Sequence, residues 1–522
     1  MIDLLVRASH IYPLRGTPLS YSCDGLAINQ GRVVSSGSFA QLRQQFQAKE
    51  IIDLGDVYVY PGFHDAHCHL HRYAREQLEV DLRGCRSEQE MVARVRDFAQ
   101  THSEGWIVGR AWDQNHWPDQ RYPNRQRLDA YFPDRPVYLE RVDIHAALVN
   151  TKALQMAGFG LETSVPGGEI QKEADKLTGI LIDKARQPIL DLIPPLSETQ
   201  WEQALVLAQQ KLLSMGLVGL GDALLTAEEA RRLAKLNQQA RFQIPVYGML
   251  PADEAHLDEF LAAGPQQWGN VSLGAFKLFA DGALGSRGAW LKEPYTDAPD
   301  QRGLALLDWE ETLDVARRVY EAGFQLVSHA IGDAAAEQVI DLYKAVLPKG
   351  NQRRWRIEHC QMMSAEAIRA MQEYQVMPSI QPTHLISDLP WVGQRLGDRL
   401  ATSYPAQTLL AAYGKIALGT DFPVESPEPL ATFRAAVSRS LAGEVFRFAE
   451  RLSPMESLQG MTTWASFSAF WEAERGDLSN GKWADMVILD RNLLVESLPE
   501  LESAKVLQTW MAGKVVFSAF NA

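Results

Sequence analysis

Two histidines one residue apart close an apolar run, where Tyr58-Val59-Tyr60-Pro61-Gly62-Phe63 leads into His64-Asp65-Ala66-His67-Cys68-His69. In an extended chain, residues i and i+2 point to the same side. His67 and His69 can therefore present two imidazoles on one face at the tip of a strand, as a metal site needs. Alone the pair is a weak signal, because the chain carries 12 histidines and a chance cluster in a loop has the same appearance. Its weight rests on Lys277, His329, His359 and Asp421, which stand at or near the ends of later apolar runs. Imidazole nitrogens and carboxylate oxygens suit zinc or another first-row divalent ion. An unmodified lysine does not, being a cation at neutral pH. Beside two metals it makes sense as a carboxylated, anionic bridge.

The elements that must position these residues follow a regular alternation. From Gly216 onward, apolar segments occur at 217–221, 244–249, 272–279, 325–329, 355–359, 376–381 and 416–421. Helical patterns at 227–237, 308–322, 334–346 and 365–374 separate several of them, and Ser197 stands three residues ahead of Gln200, a capping-box spacing. With a strand over Tyr58–His69 the count reaches eight. Eight β-α units predict an α/β fold of the (β/α)8 TIM-barrel type, whose chemistry sits at the C-terminal ends of its strands. An open doubly wound sheet would want a glycine-rich phosphate loop after its first strand, and none is present.

Residues 1–58 and 476–522 read as short strands with turns, so both termini are expected to pair into one small β-sandwich domain. The barrel then occupies 59–74 plus 196–475. About 150 residues separate His69 from Asp222, far more than one βα connection takes. Residues 75–195 are therefore expected to be an inserted α+β subdomain, lid-like over the barrel mouth. It is rich in Trp, Arg and Pro around Trp106 and Gly109–Pro118, which fits a packed lobe core as well as a lid. Asp113 and His145 in this segment are candidates for lining a substrate pocket. Beyond the strand ends, Asp281, Arg287 and His384 are candidates for substrate contact, with an ion pair or a solvated loop as the plainer readings.

The chain resembles the amidohydrolase superfamily, and within it the YtcJ-like branch, which includes N-substituted formamide deformylases. The resemblance rests on Pro61–His69, Phe276–Arg287, His329–Ala335, Ile357–Gln361, Gly419–Pro423 and the tail Gly481–Asp490, and covers essentially the whole chain. It implies a binuclear site of two divalent ions, with zinc the expected metal. His67, His69 and Asp421 would hold the more buried ion, His329 and His359 the second, and carboxylated Lys277 would bridge them. A hydroxide between the ions would be the nucleophile, with Asp421 shuttling its proton to the leaving amine. The implied activity is hydrolysis of a non-peptide carbon–nitrogen bond in an amide, formamide or N-acyl small molecule. Deaminase or esterase/lactonase chemistry on the same scaffold, and a non-catalytic metal-binding regulatory protein, are the alternatives. Single-metal deaminases of the superfamily follow the histidine of strand five with a nearby glutamate. Here His329 is followed by Ala330-Ile331-Gly332-Asp333.

Composition excludes other classes. A net charge of −14 without a basic block argues against nucleic acid and anionic membrane surfaces as partners. No run approaches 18 apolar residues, and the N-terminus does not read as a signal peptide. The four cysteines, Cys23, Cys68, Cys85 and Cys360, are scattered and give no disulfide framework. The expectation is a soluble cytoplasmic protein acting on a small molecule. A homodimer, a common state at this size, is the expected assembly.

Overall fold

A computed structural model describes residues 1–15, 21–102, 104–142, 145–495 and 497–521. Packing divides the chain into two units, Met1–His71 with Gln209–Ala522, and Arg72–Ala208.

In the first unit both ends of the chain enter one eight-stranded sheet. Tyr58–Pro61 pairs antiparallel with Met486–Leu489, which brings the two ends together. The hairpin joining Cys23–Asn29 to Arg32–Gly37 turns at Gln30 and Gly31, with φ of 51° and 75°, the left-handed pair that a tight hairpin requires. Val6, Ile28, Val59, Met486 and Trp510 pack in one cluster beneath this sheet.

Eight parallel strands build the barrel in chain order: Phe63–Cys68, Leu217–Ala223, Val246–Pro251, Val271–Phe279, Gln325–Ala330, Arg356–His359, Met377–Ile380 and Ala417–Leu418. The last strand has only two residues, so closure depends on the chain beyond it. Asp421 N–H donates to His67 O at 2.8 Å, and His69 N–H donates to Phe422 O at 2.8 Å. Thr420 donates its backbone N–H and its hydroxyl to Asp65, the latter at 2.7 Å. Helices recur between strands where acidic first turns and caps favour them, as at Ala227–Gln238, whose Thr226 and Glu229 form a full capping box.

The single strand expected over Tyr58–His69 is two strands. Tyr58–Pro61 belongs to the terminal sheet and Phe63–Cys68 to the barrel. The break falls at Gly62, where an added Cβ would lie 2.3 Å from Val218 Cγ2. Only glycine lets the chain cross so close to a β-branched neighbour. Gly62→Ala should cost about 1–3 kcal/mol through overpacking, read as a lower urea midpoint with unchanged m-value. An unshifted midpoint would mean that Val218 gives way freely.

His384, read as a substrate contact or a solvated loop histidine past strand seven, is buried on a helix. It lies in the first turn of the helix Pro382–Leu396, which starts with proline at its N1 position.

The second unit carries a six-stranded sheet ordered Gly168–Glu173, Lys176–Asp183, Ala146–Val149, Val137–Arg141, Ile107–Trp112 and Val80–Asp81. Its bounds run wider than the expected 75–195, since the helices Leu70–Glu76 and Glu198–Ser214 lead into and out of it. The tryptophan-rich stretch supplies this unit's core. Trp112 and Trp117 are buried, and their indole N–H groups donate to Leu139 O and Cys85 O. Among the described residues, no helix is long and apolar enough to cross a membrane.

Candidate metal centre

The first strand delivers His67 and His69, two residues apart as the pleat requires, and the turn after the eighth strand brings Asp421 against them. Asp421 Oδ1 lies 3.1 Å from His69 Nε2 and 3.5 Å from His67 Nε2. The His67 ring is 5.0 Å from that of His359, which is in turn 4.5 Å from that of His329. His67, His359 and Asp421 each offer a ligand atom within 4.8 Å of the others, and all three are buried. Strand register explains the meeting: Phe279 pairs with His329, and Ala330 with His359.

Lys277 completes the group from the fourth strand. It is 2% exposed, its Nζ has no hydrogen-bond partner, and it lies 5.2 Å from the Phe279 ring centroid. Burial lowers its pKa to about 8, against the pull of Glu358 and Asp421. Asp421 Oδ1 is also buried, facing only the imidazoles of His69 and His67. A buried amine without a partner is costly, and a donor set of imidazoles, a carboxylate and an amine open to carboxylation fits divalent ions of the zinc kind.

The protonation states agree with that donor set. Burial, with Lys277 nearby, lowers His67 to about 4, and burial with the His329 ring holds His359 well below its ordinary value. Both rings are therefore neutral and keep a lone pair for a ligand. Burial would raise Asp421, but His67 and the hydrogen bond from His69 outweigh it and hold the carboxyl well below the usual range.

A buried ion pair stands behind the histidines. Arg356 Nε donates to Glu358 Oε1 at 2.8 Å, while Glu358 Oε2 sits 2.5 Å from His67 Nδ1. Burial would raise the Glu358 carboxyl, but Arg356 and His67 override it and keep it ionised. This fixes the His67 ring so that Nε2 faces Asp421. The pair was readable in outline, because Arg356 and Glu358 are i and i+2 on one strand. Gln381 Oε1 does the same for His359 Nδ1 at 2.7 Å. Glu358→Ala would leave Arg356 buried and unpaired. We expect it to lower unfolding free energy by about 3–5 kcal/mol. A loss below about 1 kcal/mol in urea denaturation would mean that Arg356 is neutralised elsewhere.

Two ligand-type residues hold unusual backbone. His359 and Asp421 have φ of 72° and 60°, and Cys360 after His359 has 47°. Non-glycine residues pay on the order of 1 kcal/mol for the left-handed region. Here that conformation turns the side chains into the centre.

A cavity of about 290 Å³ opens on the centre, lined by His67, His69, His329, His359, His384 and Asp421 among others. His384 Nε2 is 3.6 Å from Asp421 Oδ2, and its ring stacks on His359 at 5.7 Å. The other substrate candidates are placed differently. Asp281 spends its carboxylate on the backbone N–H groups of Trp290, Ile331 and Gly332, and lies 3.4 Å from His329 Nε2. Arg287 pairs with Asp297 at 2.9 Å, so the two do not pair with each other and neither lines the cavity. In the second unit, Asp113 pairs with Arg141 at 3.0 Å and exposed His145 with Asp183 at 2.8 Å. The sequence reading missed Asp388, Trp391 and Glu425, which also line the cavity. The N-terminal Pro382 was the one available signal that a helix carries the first two there.

The amidohydrolase family profile matches residues 50–517. YtcJ of Bacillus subtilis (strain 168), which carries an amidohydrolase name, is 31% identical over 95% of this chain and 96% of its own length. An N-substituted formamide deformylase of Arthrobacter pascens is 24% identical over 98% of each. The crystal structure of a metal-dependent hydrolase from Pyrococcus horikoshii OT3 superposes with a TM-score of 0.77 at 27% identity, covering 95% of this chain and 99% of that one.

Proposed function

The chain belongs to the amidohydrolase family and is a metal-dependent hydrolase, and from that premise we propose that it cleaves a carbon–nitrogen bond in an amide, formamide or N-acyl small molecule at a two-metal centre. The observation that carries the reading is Lys277, a buried amine without a hydrogen-bond partner among four histidines and an aspartate. The deformylase relative supports the bond class, since its name describes cleavage of a formamide.

In this reading His67, His69 and Asp421 would hold one ion, and His329 with His359 the other. Lys277 would join them as a carbamate, formed when its neutral amine adds to carbon dioxide and releases a proton. With its pKa lowered to about 8, that neutral amine is populated near neutral pH. Bound divalent ions supply Lewis acidity, which acidifies water and polarises the bond to be cut. Asp421 takes the proton of the attacking water and passes it to the leaving nitrogen, acting as general base and then general acid. His384, buried beside Asp421 with Nε2 unpartnered, donates to the substrate oxygen where charge develops. Glu358 and Gln381 hold the rings of His67 and His359 against rotation.

Zinc- or manganese-loaded protein should turn over members of an N-formyl, N-acyl and cyclic amide panel. Activity confined to esters or to amino-heterocycle deamination would reject the carbon–nitrogen assignment.

A further inference from the structure

The cavity above the centre has an uneven chemistry. Phe279, Trp391 and Val424 give it apolar and aromatic surface, while Asp388 and Glu425 add two carboxylates beyond Asp421. No lysine or arginine lines it among the described residues. Asp388 accepts the Tyr404 hydroxyl at 2.7 Å but has no ion pair, and Glu425 has neither an ion pair nor a hydrogen bond among the described residues. The neighbouring guanidinium of Arg395, 5.8 Å from the Trp391 ring, is already engaged by Asp297. Gln361, 4% exposed, also lines the cavity and keeps Oε1 unpartnered.

The wall beyond the centre thus offers acceptors, negative charge and an aromatic face, with no lysine or arginine to offset them, and of the cavity's residues His384 alone opposes the charge of Asp388. An anionic group there would be repelled and a neutral one would leave the carboxylates unpaired. A cation would pair with them and lie against the indole. Resting on the reading that this cavity receives the substrate, we propose that the substrate carries a cationic nitrogen group, set apart from the bond cleaved, which Asp388, Glu425 and Trp391 recognise. Burial, together with the like charge of Glu425, pushes Asp388 up to about 6 even against the Tyr404 hydrogen bond. A bound cation would relieve that repulsion.

The test is titration calorimetry of the zinc-loaded full-length protein with cyclohexylammonium and with cyclohexanol, which share a ring and differ in charge. The ammonium should bind about tenfold tighter. The combined Asp388→Asn and Glu425→Gln variant should erase that preference while leaving cyclohexanol affinity and metal content unchanged. Equal affinities in the unmodified protein, no binding of either probe, or a preference that survives in the variant would each overturn the proposal. Binding is read without turnover, so a failed carbon–nitrogen assignment would appear in the substrate panel and leave this result standing.

Discussion

Asp421→Asn should keep the fold and the cavity yet lower kcat by roughly a thousandfold on any substrate the protein accepts. The amide can still accept the Nε2–H of His69, so the contact at 3.1 Å survives in altered form. What is lost is a group able to hold a proton between water and leaving nitrogen. The native carboxyl, held far below its usual range, is ionised throughout the neutral region. The acid-side limb of the pH–rate profile should therefore vanish in the variant instead of moving. A far-UV spectrum and urea midpoint near the native ones separate this from misfolding. Full turnover in a folded variant would remove Asp421 from the mechanism.

Lys277→Met should abolish turnover and also make the metal-free protein more stable. Methionine has similar volume and fills the same space without a buried amine that lacks a hydrogen-bond partner. The pH dependence follows from the lowered pKa. Between about 8, where the folded-state amine titrates, and its ordinary 10.5, the unfolded chain binds more protons than the folded one. Stability therefore rises with pH across that window, and the amine's burden is greatest below it. Lys277→Met should remove that rise, so the two proteins differ most in urea midpoint near pH 7 and least near the top of the window. Such trade of stability for activity is common at functional sites. A variant uniformly less stable than the parent would instead make Lys277 a packing residue.

The parts of the molecule legible in the sequence are those governed by local pattern. The two-residue spacing of His67 and His69 is a property of a strand, and alternating apolar runs placed Lys277, His329, His359 and Asp421 near strand ends. Six residues far apart in sequence converge because parallel strands in a barrel present their ends on one rim. Long-range contacts were not legible. That Tyr58–Pro61 leaves the barrel for the terminal sheet depends on Met486–Leu489, more than four hundred residues away. Asp281 follows Lys277 closely, yet its carboxylate is drawn to amides at 331 and 332. Asp388 and Glu425 carry no motif, and only the helix from Pro382 and the turn after Asp421 bring them to one cavity. The tryptophans of the inserted unit were compatible with a core or a lid by composition, and at Trp112 and Trp117 burial decides for the core.

The most direct test of the two-metal account is elemental analysis of the zinc-loaded, desalted protein beside its Lys277→Ala variant. The account predicts two divalent ions per chain in the parent and at most one in the variant. One ion per chain in both would contradict it.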